Sequence, residues 1–229
     1  MSKGNTFEND LLKAIFNATA ITSLLINATS SPFTDLYVAL HTADPGEAGD
    51  QTSSECNFTG YARVAVVRTS SGWTVTNNRV VNAADITFPA CTAGSNVALW
   101  FSVGVAASGA SKILYYGYLG AATSFQPILG TASDDKISQK AHGLSVDDRV
   151  TFLTIPNATL PAGVTEGTVY FVKTVPSADT YTLATTSGGS TVDITADGSG
   201  VAMKVIPVTI APGNPVCKIL AGNLTIDED

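Results

Sequence analysis

From Pro32 onward, apolar side chains recur at every second position in short runs, and Gly, Pro, Asn, Asp and Ser stand between the runs. A period of two is the spacing of a strand with one covered face, so a chain that repeats it this often must fold as stacked β-sheets. Leu36, Val38 and Leu40 alternate with Tyr37, Ala39 and His41, which predicts a half-buried strand. Tyr61 to Arg68 repeats the rhythm, with Ala62, Val64 and Val66 on one side. SSG at 70–72 marks a turn, Trp73 to Thr76 a short strand, and Asn77-Asn78 a tight turn, because Asn tolerates positive φ. Further strands are expected at Val80–Asn82, Asp85–Phe88 and Val97–Val105, the last apolar on both faces as a strand between layers would be. Lys112–Leu119 returns as an aromatic strand, with Gly117 at a bulge. ADPGEAGDQ, residues 43–51, reads as an exposed loop of turn formers and acids.

Only the N-terminal segment carries a helical period. Phe7, Leu11, Ile15 and Phe16 recur at helical spacing, and Leu12, Ile21, Leu24 and Leu25 extend the pattern. Asn5 or Thr6 suits the cap, and Glu8, Asn9 and Asp10 suit the positive end of the dipole. Ser30, Ser31 and Pro32 place the end of the helix near Asn27. Two uses of its wide stripe stay open: packing on the body of its own chain, or docking on a neighbouring subunit through Phe7, Leu11, Leu12, Ile15 and Phe16.

Hydrophobic residues make up 45% of the 229 residues and charged ones 14%, a balance that demands a packed core. The net charge of −7 repels phosphate backbones, which argues against nucleic acid as a partner. No stretch is long and apolar enough to span a bilayer, and MSKGNTFENDLLKAIF lacks the form of a secretory signal. Cys56, Cys91 and Cys217 are odd in number and widely spaced, which predicts free thiols and synthesis in a reducing cytoplasm. The N-x-Ser/Thr tripeptides at Asn17, Asn27, Asn57, Asn157 and Asn223 read as chance matches.

Near Gly130 the texture changes. Val150–Leu153, Val169–Val175, Thr180–Ala184 and Val192–Thr195 read as strands joined by LPAGVTEG, PSAD, SGGS and ADGSG. After Met203 the earlier rhythm resumes, with strands at Val205–Ile210 and Lys218–Ile226 around APGNP. The expected fold is all-β: an antiparallel, jelly-roll-like β-sandwich with one N-terminal helix and a small inserted β domain of Ig-like type. The expected divisions are a docking helix at 1–30, a sandwich at 31–130 plus 204–229, and an inserted module at 131–203, admitted where a late hairpin opens.

The chain offers little for catalysis. His41 and His142 lie on separate modules, and no nucleophile elbow, P-loop, dinucleotide fingerprint or zinc spacing is present. Asp134-Asp135, Asp147-Asp148 and Asp227-Glu228-Asp229 are adjacent acids, which point to opposite faces of a strand and do not pair for acid/base work. Asp193, Asp197 and Gly198 are the best placed for a calcium site made of turn oxygens. Alternation along KILYYGYL puts Tyr116 and Tyr118 on one face, where they serve packing or, if exposed, stack on glycans.

Five strings in order, LYVALHTADPGEAG (36–49), GYARVAV (60–66), ITFPA (86–90), ILYYGYL (113–119) and LAGNLTI (220–226), resemble a family of tail-fibre-like or minor virion proteins of bacteriophages. The resemblance covers residues 33–128 and about 206–226, and departs where that family often has Trp-Gly and this chain has Trp100-Phe101. AHGLSVDDRVTF (141–152), LPAGVTEGTVYFV (160–172) and SADTYTLATT (177–186) resemble a second element, found in phage appendage and neck proteins. The resemblance implies no catalytic residue, no cofactor and no metal. It implies an outward-facing virion structural protein that binds capsid, neck or tail subunits as a decoration or appendage, forms homo-oligomers and is assembled in the host cytoplasm. The alternative it implies is a tail-fibre adhesin that binds a host surface carbohydrate.

Overall fold

The computed structural model describes residues 5–21, 32–120 and 125–228. In chain order the elements are helix α1 (Asn5–Phe16) and strands β1 (Asp35–His41), β2 (Val64–Val67), β3 (Trp73–Thr76), β4 (Arg79–Asn82), β5 (Ile86–Thr87), β6 (Asn96–Ala98), β7 (Trp100–Gly104) and β8 (Ile113–Tyr118). There follow β9 (Gln126–Thr131), β10 (Lys136–Ser138), β11 (Arg149–Leu153), β12 (Val169–Ser177), β13 (Thr180–Ala184) and β14 (Gly198–Val205). Last come β15 (Val208–Ile210), β16 (Lys218–Ile219) and β17 (Thr225–Asp227). The fold is all-β and antiparallel, and the chain divides into two compact units, one of Met1–Gly117 with Thr209–Asp229 and one of Tyr118–Val208.

In the first unit a four-stranded sheet runs β2-β1-β7-β8. The alternation read in β1 puts Leu36, Val38 and Leu40 inside. Towards its end β1 is covered on both faces, because Ala39 and His41 are also fully buried. A three-stranded sheet β17-β4-β3 and the pairs β16-β5 and β15-β6 complete the unit, so the C-terminal strands return to partners made early in the chain. Buried Asn82 secures that return: its amide donates to the carbonyls of Ala84 and Leu220 at 2.8 and 2.9 Å, and its oxygen accepts from Leu224 N at 2.9 Å. Asn77 takes a φ of 57°, the positive value that closes the two-residue turn between β3 and β4.

The apolar run expected as one strand at Val97–Val105 is two strands, β6 and β7, broken at Leu99, whose N–H donates to His41 O at 2.9 Å. β6 then pairs with β15 and β7 with β1. The helix stops at Phe16, well before Asn27. Asn17 and Thr19 both donate to Lys13 O, at 2.9 and 3.1 Å, and Ala18 takes a φ of 53°, which no right-handed helix passes through. Leu24, Leu25 and Asn27 lie outside the described residues.

What covers the second face of β1 is a buried polar network. Arg63 meets the Glu55 carboxylate through two parallel bonds, Nε to Oε1 at 2.7 Å and Nη2 to Oε2 at 2.8 Å. Its remaining donors reach the carbonyls of Ala106 and Gly109 at 3.0 and 2.8 Å and Gln51 Oε1 at 3.3 Å. Gln51, placed by its sequence in an exposed loop, is fully buried: Nε2 donates to Tyr37 O at 2.9 Å and Oε1 accepts from Ser111 Oγ at 2.9 Å. Tyr61 donates to Glu55 Oε1 at 3.0 Å and accepts from Leu40 N at 3.0 Å. His41 sits between Ser53 O and Ser102 Oγ, each at 2.8 Å. A carbonyl can only accept, so Nδ1 carries the proton and Nε2 accepts from Ser102; the ring is a neutral imidazole with both nitrogens satisfied. Burial is the main force holding its pKa below the ordinary value, with the Ser53 carbonyl opposing.

The second unit is a closed six-stranded barrel, β10-β13-β12-β11-β14-β9, and not an Ig-like two-sheet insertion. Its core is built from Ile128, Ile137, Phe152, Val172, Tyr181 and Leu183. The expected boundaries of 131–203 cut into its first strand, β9, and its last, β14. The expected strand at Val192–Thr195 is an irregular segment that pins Ile194 into the core, with Ile194 N donating to Asp135 Oδ1 at 2.8 Å. The strand lies instead in GSGVAMKV, where glycine serves close approach. A Cβ on Gly198 would stand 2.4 Å from Pro161 N, and one on Gly200 would stand 2.6 Å from Leu160 Cδ2.

Two outcomes are expected. A fragment of residues 118–208 should melt cooperatively and give dispersed amide resonances, whereas 131–203, with β9 removed and β14 truncated, should not close and should show neither. In the full chain, the unfolded state takes up a proton at His41 near pH 6.5 that the folded state refuses until lower pH. Its contribution to stability is therefore complete above about pH 6.5 and is lost as the pH falls from there towards the folded value. Urea midpoints measured from pH 8 to 5 should drop in that window, and the drop should vanish in His41→Gln; an equal slope in the variant would refute the assignment.

Candidate functional site

The helix stripe splits between two uses. Leu12 and Phe16 are completely buried in their own unit, so the expectation that they dock on a second subunit is corrected. The Phe16 ring meets Trp73 edge-on at 4.8 Å between centroids and lies 5.6 Å from Tyr115, whose hydroxyl donates to Glu228 Oε1 at 2.6 Å. Leu11 and Ile15 remain half-exposed, and the side chain of Phe7 is outside the described residues. Arg68 fixes the end of the helix. Its guanidinium donates to the carbonyls of Ala14 (2.6 Å), Ile15 and Phe33 (3.0 Å), placing a cation on the last-turn carbonyls where the dipole is negative. This clamp gathers the helix end, Phe33 and the end of β2 around one residue. Phe33 keeps 57% of its surface exposed and Val67 46%, and Ile15 is half-covered.

Tyr116 and Tyr118 both lie on β8. Tyr116 is half-buried, with its ring 5.9 Å from that of Trp100 in the first unit. Tyr118 belongs to the second unit, where its hydroxyl shares a 2.6 Å hydrogen bond with Thr151 Oγ1.

On the barrel, two cavities of about 550 and 330 Å³ share Gln139 and Lys140 in their walls. The larger is floored by exposed apolar groups, Pro127, Leu129 and Ile155, with the hydroxyls of Ser138, Thr180 and Ser199 at its sides. The smaller is polar and basic, with Gln126, Lys140, His142 and Lys204 around Leu144 and Val150. His142 accepts at Nδ1 from Leu144 N at 2.9 Å, which leaves Nε2–H to donate to Ser177 O at 3.1 Å; it shapes the turn after Ala141. No sequence signal marked this cleft, since its donors come from residues scattered between Gln126 and Lys204.

The groups most perturbed by their surroundings serve the interior. Burial pushes the Cys56 thiol up to about 12 and that of Cys217 to about 11, so both stay protonated. Asp197, one of the calcium candidates, instead accepts from Ala132 N at 2.8 Å. Among the described residues no group of three or more His, Cys, Asp or Glu could hold a metal ion. Among them too, no helix is long and apolar enough to cross a membrane.

No curated protein matches the chain. The family model described as Podophage GP4 fiber I protein gp80 matches residues 2–147, well over half of it. The match runs through the polar network, the helix clamp and the first barrel strands. The chain therefore belongs to the podophage GP4 fiber I protein gp80 family of tail-fibre-like structural proteins, and is a component of a bacteriophage virion.

Proposed function

We propose that the protein is a non-enzymatic fibre component that holds other virion subunits, and that the patch of Ile15, Phe33 and Val67 around Arg68 is the surface they cover. The observation that carries this reading is the contrast between inside and outside in the first unit. Three polar groups with shifted proton affinities point inward: His41 and Arg63 are buried, Tyr61 is half-buried, and all three are hydrogen-bonded within the chain. An active site needs such groups facing a substrate. Phe33, whose carbonyl Arg68 holds, and Val67, the chain neighbour of Arg68, by contrast keep 57% and 46% of their surface exposed, apolar groups near an Arg of the kind an interface uses.

Fibre-family membership favours tail or neck subunits over the capsid shell, and a second copy of the chain is a natural companion in a symmetric appendage. The buried, unpaired thiols of Cys56 and Cys217 suit assembly in a reducing host cytoplasm. Copy number distinguishes the placements: a small multiple set by tail symmetry supports a tail or neck position, and many copies per particle supports shell decoration.

The double variant Phe33→Ser/Val67→Ser tests the patch. Each side chain is already about half exposed, so the fold should keep its melting temperature within a few degrees. Losing about 1 kcal/mol of interface burial per residue should weaken incorporation into particles by about 30-fold. Quantitative immunoblotting of purified particles reads this directly. Incorporation equal to wild type would overturn the assignment of the patch.

A further inference from the structure

We propose that His41 is a proton-operated latch: a proton taken up at its Nε2 frees residues 42–55 from the second face of β1 while the rest of the fold stands. The carrying observation is a run of hydrogen bonds whose directions are all fixed. Ser111 Oγ accepts from Val105 N at 3.3 Å and donates to Gln51 Oε1 at 2.9 Å. Gln51 Nε2 donates to Ser102 Oγ at 3.3 Å, and the Ser102 hydroxyl donates to His41 Nε2 at 2.8 Å. The completely buried ring then donates from Nδ1 to Ser53 O at 2.8 Å.

A second ring proton reverses one link of this run. An imidazolium donates from both nitrogens, so Ser102 Oγ faces two donors, His41 and Gln51, and its own proton loses its acceptor. Gln51 cannot turn its amide over to receive that proton. Its Oε1 is held by Ser111 and by Arg63 Nη1 at 3.3 Å, and a guanidinium only donates. It has no room to swing away either, since a Cβ on Gly104 would stand 2.2 Å from Gln51 Cδ. The conflict is relieved by lifting Gln51 and Ser53 together, and both belong to the segment 42–55. Three backbone bonds mark that segment as closed: Thr42 N to Ser54 O at 2.8 Å, Gln51 N to Ser111 O at 3.0 Å and Cys56 N to Leu40 O at 2.9 Å.

The charges around the ring do not offset its burial. β7 and the 105–111 loop carry no ionisable side chain. Asp44 and Glu55 come from the segment itself, and Tyr61 and Arg63 from the stretch before β2. Burial works most strongly against the charged ring and Arg63 adds to it, while the Ser53 carbonyl, Glu55 and Asp44 favour the charge. Both acids are already engaged, Glu55 with Arg63 at 2.7 Å and Asp44 Oδ1 with Gly46 N at 2.8 Å. The latch is independent of which subunits the protein holds in the particle.

The test is native-state hydrogen exchange of the full chain, followed by NMR from pH 7.5 to 5.5 and corrected for the intrinsic exchange rate. Opening exposes a ring of ordinary proton affinity and takes up one proton, so the opening constant should rise about tenfold per pH unit below about 6.5. The amides of Thr42, Gln51 and Cys56 should lose protection by that factor, and dilute urea should leave their exchange unchanged, as it does for a local opening. In His41→Gln, which offers a donor and an acceptor but no titration, the same amides should show no pH dependence. The proposal is overturned if protection of these amides is flat with pH in the wild type. It is equally overturned if His41→Gln gives the wild-type slope, or if urea accelerates these amides as steeply as those of Trp73–Thr76, which marks global unfolding of the unit.

Discussion

A single ion pair organises the first unit. The Arg63 side chain is 1% exposed and that of Glu55 17%, and taking such charges out of water is repaid only when every remaining donor and acceptor is met. The guanidinium therefore dictates its surroundings. It requires the carbonyls of Ala106 and Gly109 from one loop, Glu55 and Gln51 from another, and a backbone that holds both within about 3 Å. Those two loops close over β1, and only because they do can Ala39 and His41 be buried on the face opposite Leu40. Losing one partner would strand a charge in the interior, so the network acts as a single cooperative element and not as a set of separable bonds.

This explains what could and could not be read from the residues in order. Alternation in Leu36–His41 and Trp73–Thr76 is local, and the strands follow from it directly. The strings LYVALHTADP and GYAR, which hold His41, Tyr61 and Arg63, were legible as marks of a phage family. Their physical role was not legible, since each acts on a group far along the chain: Arg63 on Ala106 and Gly109, His41 on Ser102. Gln51 illustrates the limit. Its neighbours Gly49 and Asp50 belong to a polar turn, and nothing local says that its amide will be drawn inward to Tyr37, Ser102 and Ser111.

The barrel failed to show itself for a different reason. Glycine has two opposite uses in a β protein: it turns a chain where φ must be positive, and it lets backbones approach where a Cβ would clash. GSG at 198–200 looks like the first and is the second. Leu160-Pro161 lies so close over the barrel that Gly130, Gly198 and Gly200 all face it, with a Cβ on Gly130 only 2.1 Å from Pro161 Cγ. Reading ADGSG as a connector hid β14 and drew the module's limit inward, and with β9 and β10 also unread only three of the ring's six strands were legible. The cleft was hidden with them, since β9 and β14 form part of its walls.

The two polar centres of the molecule then differ in a way that bears on function. In the network around Arg63 each donor found an acceptor inside the chain, which fixes conformation and leaves nothing over for a ligand. On the barrel, Gln139 satisfies its oxygen internally, through the Tyr181 hydroxyl at 2.8 Å, while its side chain lines the two cavities.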